Sequence, residues 1–120
     1  MRDTKSTNPE LIHLIRFLKK EGREQKANIW IDVAEHLAKP SRQRIIVNLS
    51  SINRNTKRAD TIVVPGKVLG KGGLNHSITV AAFDVSASAK EKLTAAKARY
   101  LSIPELVHKN PKGSNIKIIR

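Results

Sequence analysis

Cysteine is absent from this 120-residue chain, and aromatic residues make up only 3% of it. Without cysteine the chain can form no disulfide, no thiolate metal site and no cysteine nucleophile. A small secreted scaffold is also disfavoured, because such domains depend on disulfides. Since aromatics are so few, the core has to be built mostly from Ile, Val, Leu and Ala.

Long apolar runs are also missing. The longest, Val80-Ala81-Ala82-Phe83, is far too short for a membrane span or the core of a signal peptide. We therefore expect a soluble intracellular protein with no membrane partner.

Acidic residues are scarce. The chain has 23 Lys+Arg against 10 Asp+Glu, a net charge of +13. Residues 39–72, the basic middle segment, hold eight basic residues and one acid, Asp60, and residues 108–120 hold four basic residues and no acid. Residues 1–38 carry both signs in near balance. Clustered charge of one sign favours a surface that binds a polyanion, most commonly nucleic acid.

Two helices are predicted before residue 40. Asn8-Pro9 has the form of a helix N-cap followed by proline at the first helical position, and Gly22 is a plausible end. A second apolar stripe runs from Asn28 and is ended by Pro40. The short connection between the two predicts a helical hairpin.

After residue 40, short β-branched segments alternate with helical ones, which predicts an α/β core. A glycine cluster between the third and fourth strands is expected to form a hairpin turn. Lys90, Lys92 and Lys97 are expected to be solvated. We predict a single domain, 1–120, with a helical hairpin over 1–40 and an α/β core with a basic C-terminal tail over 41–120. The predicted strands lie at 45–47, 61–64, 67–69, 78–83 and 116–118, and the predicted helices near 48–52, 86–99 and 103–107.

The glycines resemble a phosphate-binding loop only superficially. A Walker A loop needs four residues between its glycines and a Ser or Thr after the lysine, but Gly66 and Gly70 are one residue too close and Lys71 is followed by Gly72. A β-branched segment follows where a helix is required. We predict instead a flexible turn whose Lys67 and Lys71 contact phosphates and which orders only on binding.

No catalytic constellation is predicted. The four histidines have no metal-ligand spacing. His76-Ser77 with Asp60 or Asp84 has the residue types of a triad, but the serine lacks the strained turn that exposes a nucleophile. We predict no enzymatic activity, no cofactor, no metal site and no small-molecule substrate.

Candidate RNA contacts fall mainly in the basic middle segment. Arg42 and Arg44 carry forked donors that suit phosphate and base edges. Ser41 and Asn48 can add uncharged hydrogen bonds, although an Asn after a strand often caps the next helix instead. On charge, the predicted contacts further include Lys39, Lys57, Arg58, Lys71, Lys112 and Lys117.

Several motifs together resemble the archaeal and eukaryotic large-subunit ribosomal protein eighteen-e family, which is related to bacterial large-subunit protein fifteen. The resemblance covers nearly the whole chain. It rests on Lys39-Pro40-Ser41-Arg42-Gln43-Arg44, Val47-Asn48-Leu49-Ser50, Ile52-Asn53-Arg54, Val64-Pro65-Gly66-Lys67-Val68-Leu69-Gly70, Thr79-Val80-Ala81-Ala82 and Gly113-Ser114-Asn115-Ile116-Lys117.

The resemblance implies a structural, non-enzymatic constituent of the cytoplasmic large ribosomal subunit. Its implied partners are large-subunit ribosomal RNA and neighbouring ribosomal proteins. The implied fold is a helical hairpin followed by a compact α/β core of irregular β-β-α turns, and the short chain looks like the archaeal form. The family motif residues carried over as RNA contacts are Arg42, Arg44, Asn48, Arg54, Lys67 and Gly70.

Three alternatives remain open on the residues alone. A DNA-compacting protein would share the basic charge but needs an inserting helix or a symmetric dimer. A nucleotide-dependent enzyme would bind ATP or GTP through Lys71. A protein-binding adaptor would use the mixed-charge N-terminal hairpin.

Overall fold

The computed structural model describes residues 9–39 and 45–120, and these form five helices and five strands. The predicted α/β class is confirmed. The elements are α1 (Pro9–Glu24), α2 (Asn28–Leu37), β1 (Ile45–Asn48), α3 (Leu49–Asn55), β2 (Thr61–Leu69), β3 (Thr79–Val85), α4 (Ala87–Ala95), β4 (Arg99–Ser102), α5 (Ile103–Lys109) and β5 (Ile116–Ile118).

All strand pairs in the sheet are parallel, in the order β1-β2-β3-β4. The fifth strand, β5, also pairs with β2. One edge of β2 therefore pairs with β5 along residues 61–63 and with β1 along residues 66–69. The predicted hairpin turn between β2 and β3 is therefore wrong. Their parallel pairing requires the intervening residues to cross the sheet from the C-terminal end of β2 to the N-terminal end of β3.

The strand β2 is longer than the sequence suggests. Pro65 and Gly66 look like a strand end, but β2 continues through them because the register with β3 shifts between Val64 and Lys67. Such a bulge accommodates a proline, which has no N–H to donate to the ladder. Glycine is required at position 66 because a Cβ there would collide with the backbone carbonyl of Ile45.

Two hydrophobic cores lie on opposite faces of the sheet. Helices α1, α2 and α5 pack on the face that carries Val63 and Ala81, and the fully buried Trp30 belongs to this core. Helices α3 and α4 pack on the other face, which carries Val64 and Val68. The molecule is thus a three-layer α/β/α arrangement, in which the predicted pair of N-terminal helices covers one face.

Local capping explains where the later helices begin. The Ser86 side chain accepts a hydrogen bond from the backbone N–H of Ala89 at the start of α4. Ser102 and Glu105 form a reciprocal capping box at the start of α5, which satisfies two backbone N–H groups that have no partner within the helix. These serines direct the chain from strand into helix at the same end of the sheet.

Candidate nucleic-acid interface

Residues 70–78, here called the glycine loop, connect β2 to β3 and run alongside α3. The backbone N–H of Ser50 donates to the carbonyl oxygen of Lys71 at 3.1 Å. Further along, the backbone N–H of Asn75 donates to Oδ1 of Asn53, also at 3.1 Å. The loop therefore replaces a crossover helix, and it forms one layer with α3 and α4 through Leu74, which packs on their core.

Lys92 of α4 holds the start of the glycine loop. Its Nζ donates to the carbonyl oxygens of Gly70 and Gly72, both at 2.6 Å. Lys92 is exposed, as predicted, but its ammonium group also links two segments that are 20 or more residues apart in the chain, which the sequence did not indicate. The loop backbone, which was expected to order only on binding, is hydrogen-bonded in the structure to Lys92 of α4 and to the Ser50 backbone and the Asn53 side chain of α3.

Two glycines of this loop, Gly70 and Gly72, have a structural reason for their position. Gly70 is buried, and a Cβ there would collide with Oγ of Ser88 and approach the backbone of Ala89. Gly72 has a φ of +85°, a conformation that side-chain-bearing residues rarely adopt. Gly70 therefore has a structural role: it allows the start of α4 to pack closely, and its carbonyl oxygen accepts a hydrogen bond from Lys92.

The structure does not support a nucleotide-binding loop or a catalytic triad. The glycine loop joins two strands, whereas a phosphate-binding loop leads into a helix. The ring of His76 contacts Oγ1 of Thr56 at 2.8 Å and Oδ1 of Asn75 at 2.9 Å, so neither carboxylate of the imagined triad orients it.

Across residues 9–39 and 45–120, no group of three potential ligands could hold a metal ion. No helix in the same ranges is long and apolar enough to cross a membrane.

Three basic side chains project from the end of α3 and the turn that follows it. Arg54 lies in the last turn of α3 and is exposed, as are Lys57 and Arg58. We call these three residues the basic corner. Oδ2 of Asp60 accepts a hydrogen bond from the backbone N–H of Lys57 at 2.8 Å, which fixes the turn.

Asp60 also binds the C-terminal strand. Its Oδ2 lies 3.1 Å from Nζ of Lys117. The hydrogen bond from the Lys57 backbone, followed by that from Lys117, lowers the pKa of Asp60 from its ordinary value of 3.8. Lys117, predicted as an RNA contact, is therefore engaged within the protein.

Lys67 is likewise paired within the protein. Its Nζ lies 3.8 Å from Oδ2 of Asp84, and both side chains are about half exposed. Such an exposed pair is weak, so Lys67 can exchange its carboxylate partner for a phosphate at little cost.

The other predicted residues are more dispersed. Asn48 occupies the N-cap position of α3 without a side-chain capping bond. This argues against the capping alternative, and the half-buried amide lies near the start of the glycine loop.

Lys39 is exposed after α2. Lys112 is exposed in the turn before β5, beside Pro111, whose carbonyl accepts a hydrogen bond from Trp30. The predicted contacts Ser41, Arg42 and Arg44 lie outside the described residues.

The structure thus brings together part of the predicted set. Arg54, Lys57 and Arg58 form one corner, while Lys71 and Asn48 lie at the other end of α3. Sequence reasoning missed Lys92 and the organising role of Asp60. The only sequence signal for Asp60 was its isolation, as the one acid in the basic middle segment.

Comparison with known proteins supports the class suggested by this basic surface. The family model described as "Ribosomal protein 60S L18 and 50S L18e" matches residues 1–120. The "Large ribosomal subunit protein eL18" of Methanoregula boonei is 45% identical over 119 residues, covering 99% of this chain and 98% of that protein. The protein of the same name from Pyrobaculum aerophilum is 48% identical over 116 residues, covering 97% of this chain and 95% of that protein.

The chain therefore belongs to the family of ribosomal protein 60S L18 and 50S L18e. This confirms the family that the sequence motifs suggested. It also agrees with the archaeal form expected from the length, since the relatives named above are archaeal. As a member of a ribosomal protein family, the chain is a structural protein and not an enzyme.

Proposed function

We propose that this chain is a structural constituent of the large ribosomal subunit, and that it binds large-subunit ribosomal RNA through the layer formed by α3, the basic corner and the glycine loop. The large subunit is the assembly for which its relatives are named. In this role the protein acts in the cytoplasm, beside neighbouring large-subunit proteins. We also propose that residues 1–120 act as one domain, a proposal supported by the core that α1, α2 and strands of the sheet share.

The observation that carries the proposal is the exposed basic corner. Arg54, Lys57 and Arg58 are all exposed, and no ion pair joins them to a carboxylate among residues 9–39 and 45–120. The nearest acid in sequence, Asp60, is already bound to Lys117. The corner therefore presents exposed positive charge outside any ion pair of the described ranges, and this charge can neutralise phosphates and release their counterions.

The glycine loop supplies a rigid partner to this corner. Its backbone is fixed by Lys92 and by α3, so RNA binding does not have to order it, which lowers the entropic cost of association. Lys71 is exposed at the start of the loop, close to Ser50. A rigid surface of this kind suits recognition of RNA by shape, through phosphates and 2′-hydroxyl groups.

The test is neutralisation of the basic corner. The triple variant Arg54→Gln, Lys57→Gln, Arg58→Gln should bind large-subunit ribosomal RNA more weakly, and the slope of log affinity against log salt should fall by about 2 to 3. Thermal stability should stay nearly unchanged because the three side chains are exposed. Filter binding to the transcribed RNA at several salt concentrations measures both quantities.

A matched control removes the same charge elsewhere. Lys97→Gln, Arg99→Gln and Lys109→Gln together also remove three positive charges from exposed positions. If both triple variants lose affinity equally, net charge alone drives binding and the basic corner is not the site. Arg42 and Arg44 remain predicted contacts, and their joint replacement by Ala should weaken binding without lowering the melting temperature.

A further inference from the structure

The basic and acidic residues of α1 are interspersed along the sequence but are segregated on the surface of the folded helix. Its exposed basic residues are His13, Arg16, Lys20 and Arg23, spaced three and four residues apart. At 3.6 residues per turn, these four positions fall within an arc of about 80°. We call them the α1 stripe. The residues are spread over about 15 Å of helix at 1.5 Å per residue, so the stripe is long enough to follow several phosphates of one strand.

The acidic residues of α1 lie beside the stripe and not within it. On the same helical wheel, Glu10, Glu21 and Glu24 all project on one flank. Glu24 reaches Lys20 at 4.0 Å, but both side chains are more than half exposed, and such a pair contributes little. The balanced charge of the N-terminal residues is therefore segregated on the folded helix into a basic strip and an acidic border.

The stripe faces away from the proposed RNA-binding layer. Helix α1 packs in the core that contains Val63 and Ala81. The glycine loop and α3 pack in the core that contains Val64 and Ala82, on the other side of the sheet. A single RNA segment seated on the basic corner and the glycine loop leaves the outer side of α1 uncovered.

We propose that the α1 stripe binds a second segment of ribosomal RNA, so that the protein bridges two segments across its sheet. This inference rests on the proposed function, because it takes the same RNA as the partner. A protein partner fits the stripe less well, since protein interfaces centre on apolar and aromatic residues. The large hydrophobic side chains exposed among the described residues are Ile46 and Tyr100, and neither lies on α1.

The absence of cysteine allows a direct test of bridging. Glu24→Cys introduces a single thiol beside the stripe, and Gly73→Cys introduces one in the glycine loop, where a Cβ meets no atom within 4 Å. Iron–EDTA attached to each thiol generates hydroxyl radicals that cleave nearby RNA. Complexes of the full chain with transcribed large-subunit ribosomal RNA should be cut in two separate segments, one from each position. The natural cysteine-free chain, treated with the same reagent, shows the background.

Neutralising the stripe should separate the two contacts. With Arg16→Gln, Lys20→Gln and Arg23→Gln added, cleavage from position 24 should be lost while cleavage from position 73 persists. The salt slope should also fall by about 2 to 3. The control triple at Lys97, Arg99 and Lys109 should keep both cleavage patterns.

The outcomes distinguish this inference from the function on which it rests. Cleavage from position 73 without cleavage from position 24, or cleavage of one shared segment by both, overturns the bridge and keeps the glycine-loop contact. Absence of cleavage from both positions overturns the proposed RNA-binding layer as well. Crosslinking of the thiol at position 24 to a neighbouring protein in purified large subunits, without cleavage of RNA there, assigns the stripe to a protein partner and overturns the inference.

Discussion

Oδ2 of Asp60 lies 3.1 Å from Nζ of Lys117. The same oxygen accepts the backbone N–H of Lys57 at 2.8 Å, so that one atom joins the turn before β2 to the strand β5. The carbonyl of Asp60 also accepts from the N–H of Thr79 at 2.9 Å, which adds the start of β3. An acidic residue thus organises the most basic part of the chain.

We expect Asp60→Asn to lower stability in a pH-dependent manner. The pKa of Asp60 is lowered in the folded state, by the hydrogen bond from the Lys57 backbone and then by Lys117. Its carboxylate therefore stabilises the fold above the ordinary pKa of 3.8, and this contribution is lost as pH falls through the lower folded value. Melting temperatures should differ between variant and wild type at pH 7, and the difference should shrink as pH falls below 3.8 and through the lowered pKa of the folded state.

Asp84→Asn is the control for Asp60, because it breaks only the exposed pair with Lys67. Its effect on stability should stay within about 0.5 kcal/mol. A gap between Asp60→Asn and wild type that persists unchanged into acid would show that the carboxylate charge is not what joins these elements.

Substitution by alanine should change the stability of the protein in opposite directions at two positions of the glycine loop. At Gly70 a Cβ would collide with Ser88 and the backbone of Ala89, and overpacking of this kind costs about 1–3 kcal/mol. At Gly73 the Cβ enters open space, and Gly73→Ala should be neutral or stabilise by up to about 1 kcal/mol through the unfolded state. Urea unfolding measures both values, and equal losses would contradict the close approach at Gly70.

Lys92→Met should release the glycine loop while α4 stays intact. It removes both hydrogen bonds to the carbonyls of Gly70 and Gly72 but keeps a long, flexible apolar side chain. Hydrogen exchange at residues 70–77 should accelerate, and stability should fall by about 1 kcal/mol. Lys97→Met, in the turn after α4, should leave exchange in the loop unchanged. Unaltered protection in Lys92→Met would mean that α3 alone fixes the loop.

His36 should make the protein less stable in mild acid. Its Nε2 lies 2.9 Å from the guanidinium of Arg120 and its Nδ1 is buried, with no hydrogen-bond partner in the described part of the chain. Burial lowers the pKa of His36 from 6.5, against the opposing effect of Asp32. Because the unfolded chain takes up the proton first, stability is lost as pH falls below about 6.5.

The measurement for His36 is the melting temperature between pH 5 and 8. His36→Gln should flatten the curve relative to wild type. A wild-type curve that is already flat between pH 5 and 7 would show that the imidazole titrates as freely in the folded state as in the unfolded chain.

Local features of the fold were predictable because their signals lie within a few residues. The apolar spacing from residue 11 onward predicts α1, and the helix predicted near 86–99 begins as α4 directly after Ser86, although it ends at Ala95. The alternation at 116–118 predicts β5 correctly. In each case the cap or periodicity acts over one turn of helix or one strand, which is the range that sequence patterns report.

The missed features depend on residues far apart in the chain. Pro65-Gly66 looks like a break, and only the pairing of β2 with its neighbours shows that it is a bulge. The strand β4 has four partly or fully exposed residues and no alternation, so nothing local marks it. In the candidate site, the basic middle segment located Arg54 and Lys57, whereas the contacts of Lys92 with the glycine loop need the folded chain.

The shared edge of β2 has a consequence for how fast the protein folds. Residues 61–63 pair with β5, and residues 66–69 pair with β1, so two segments about 70 residues apart must both dock on one strand. Parallel pairing of distant segments requires the closure of long loops before any contact is gained, which slows folding. Until the second segment docks, part of the central strand keeps its backbone groups unpaired, and this open edge is the state in which the chain is most exposed to self-association.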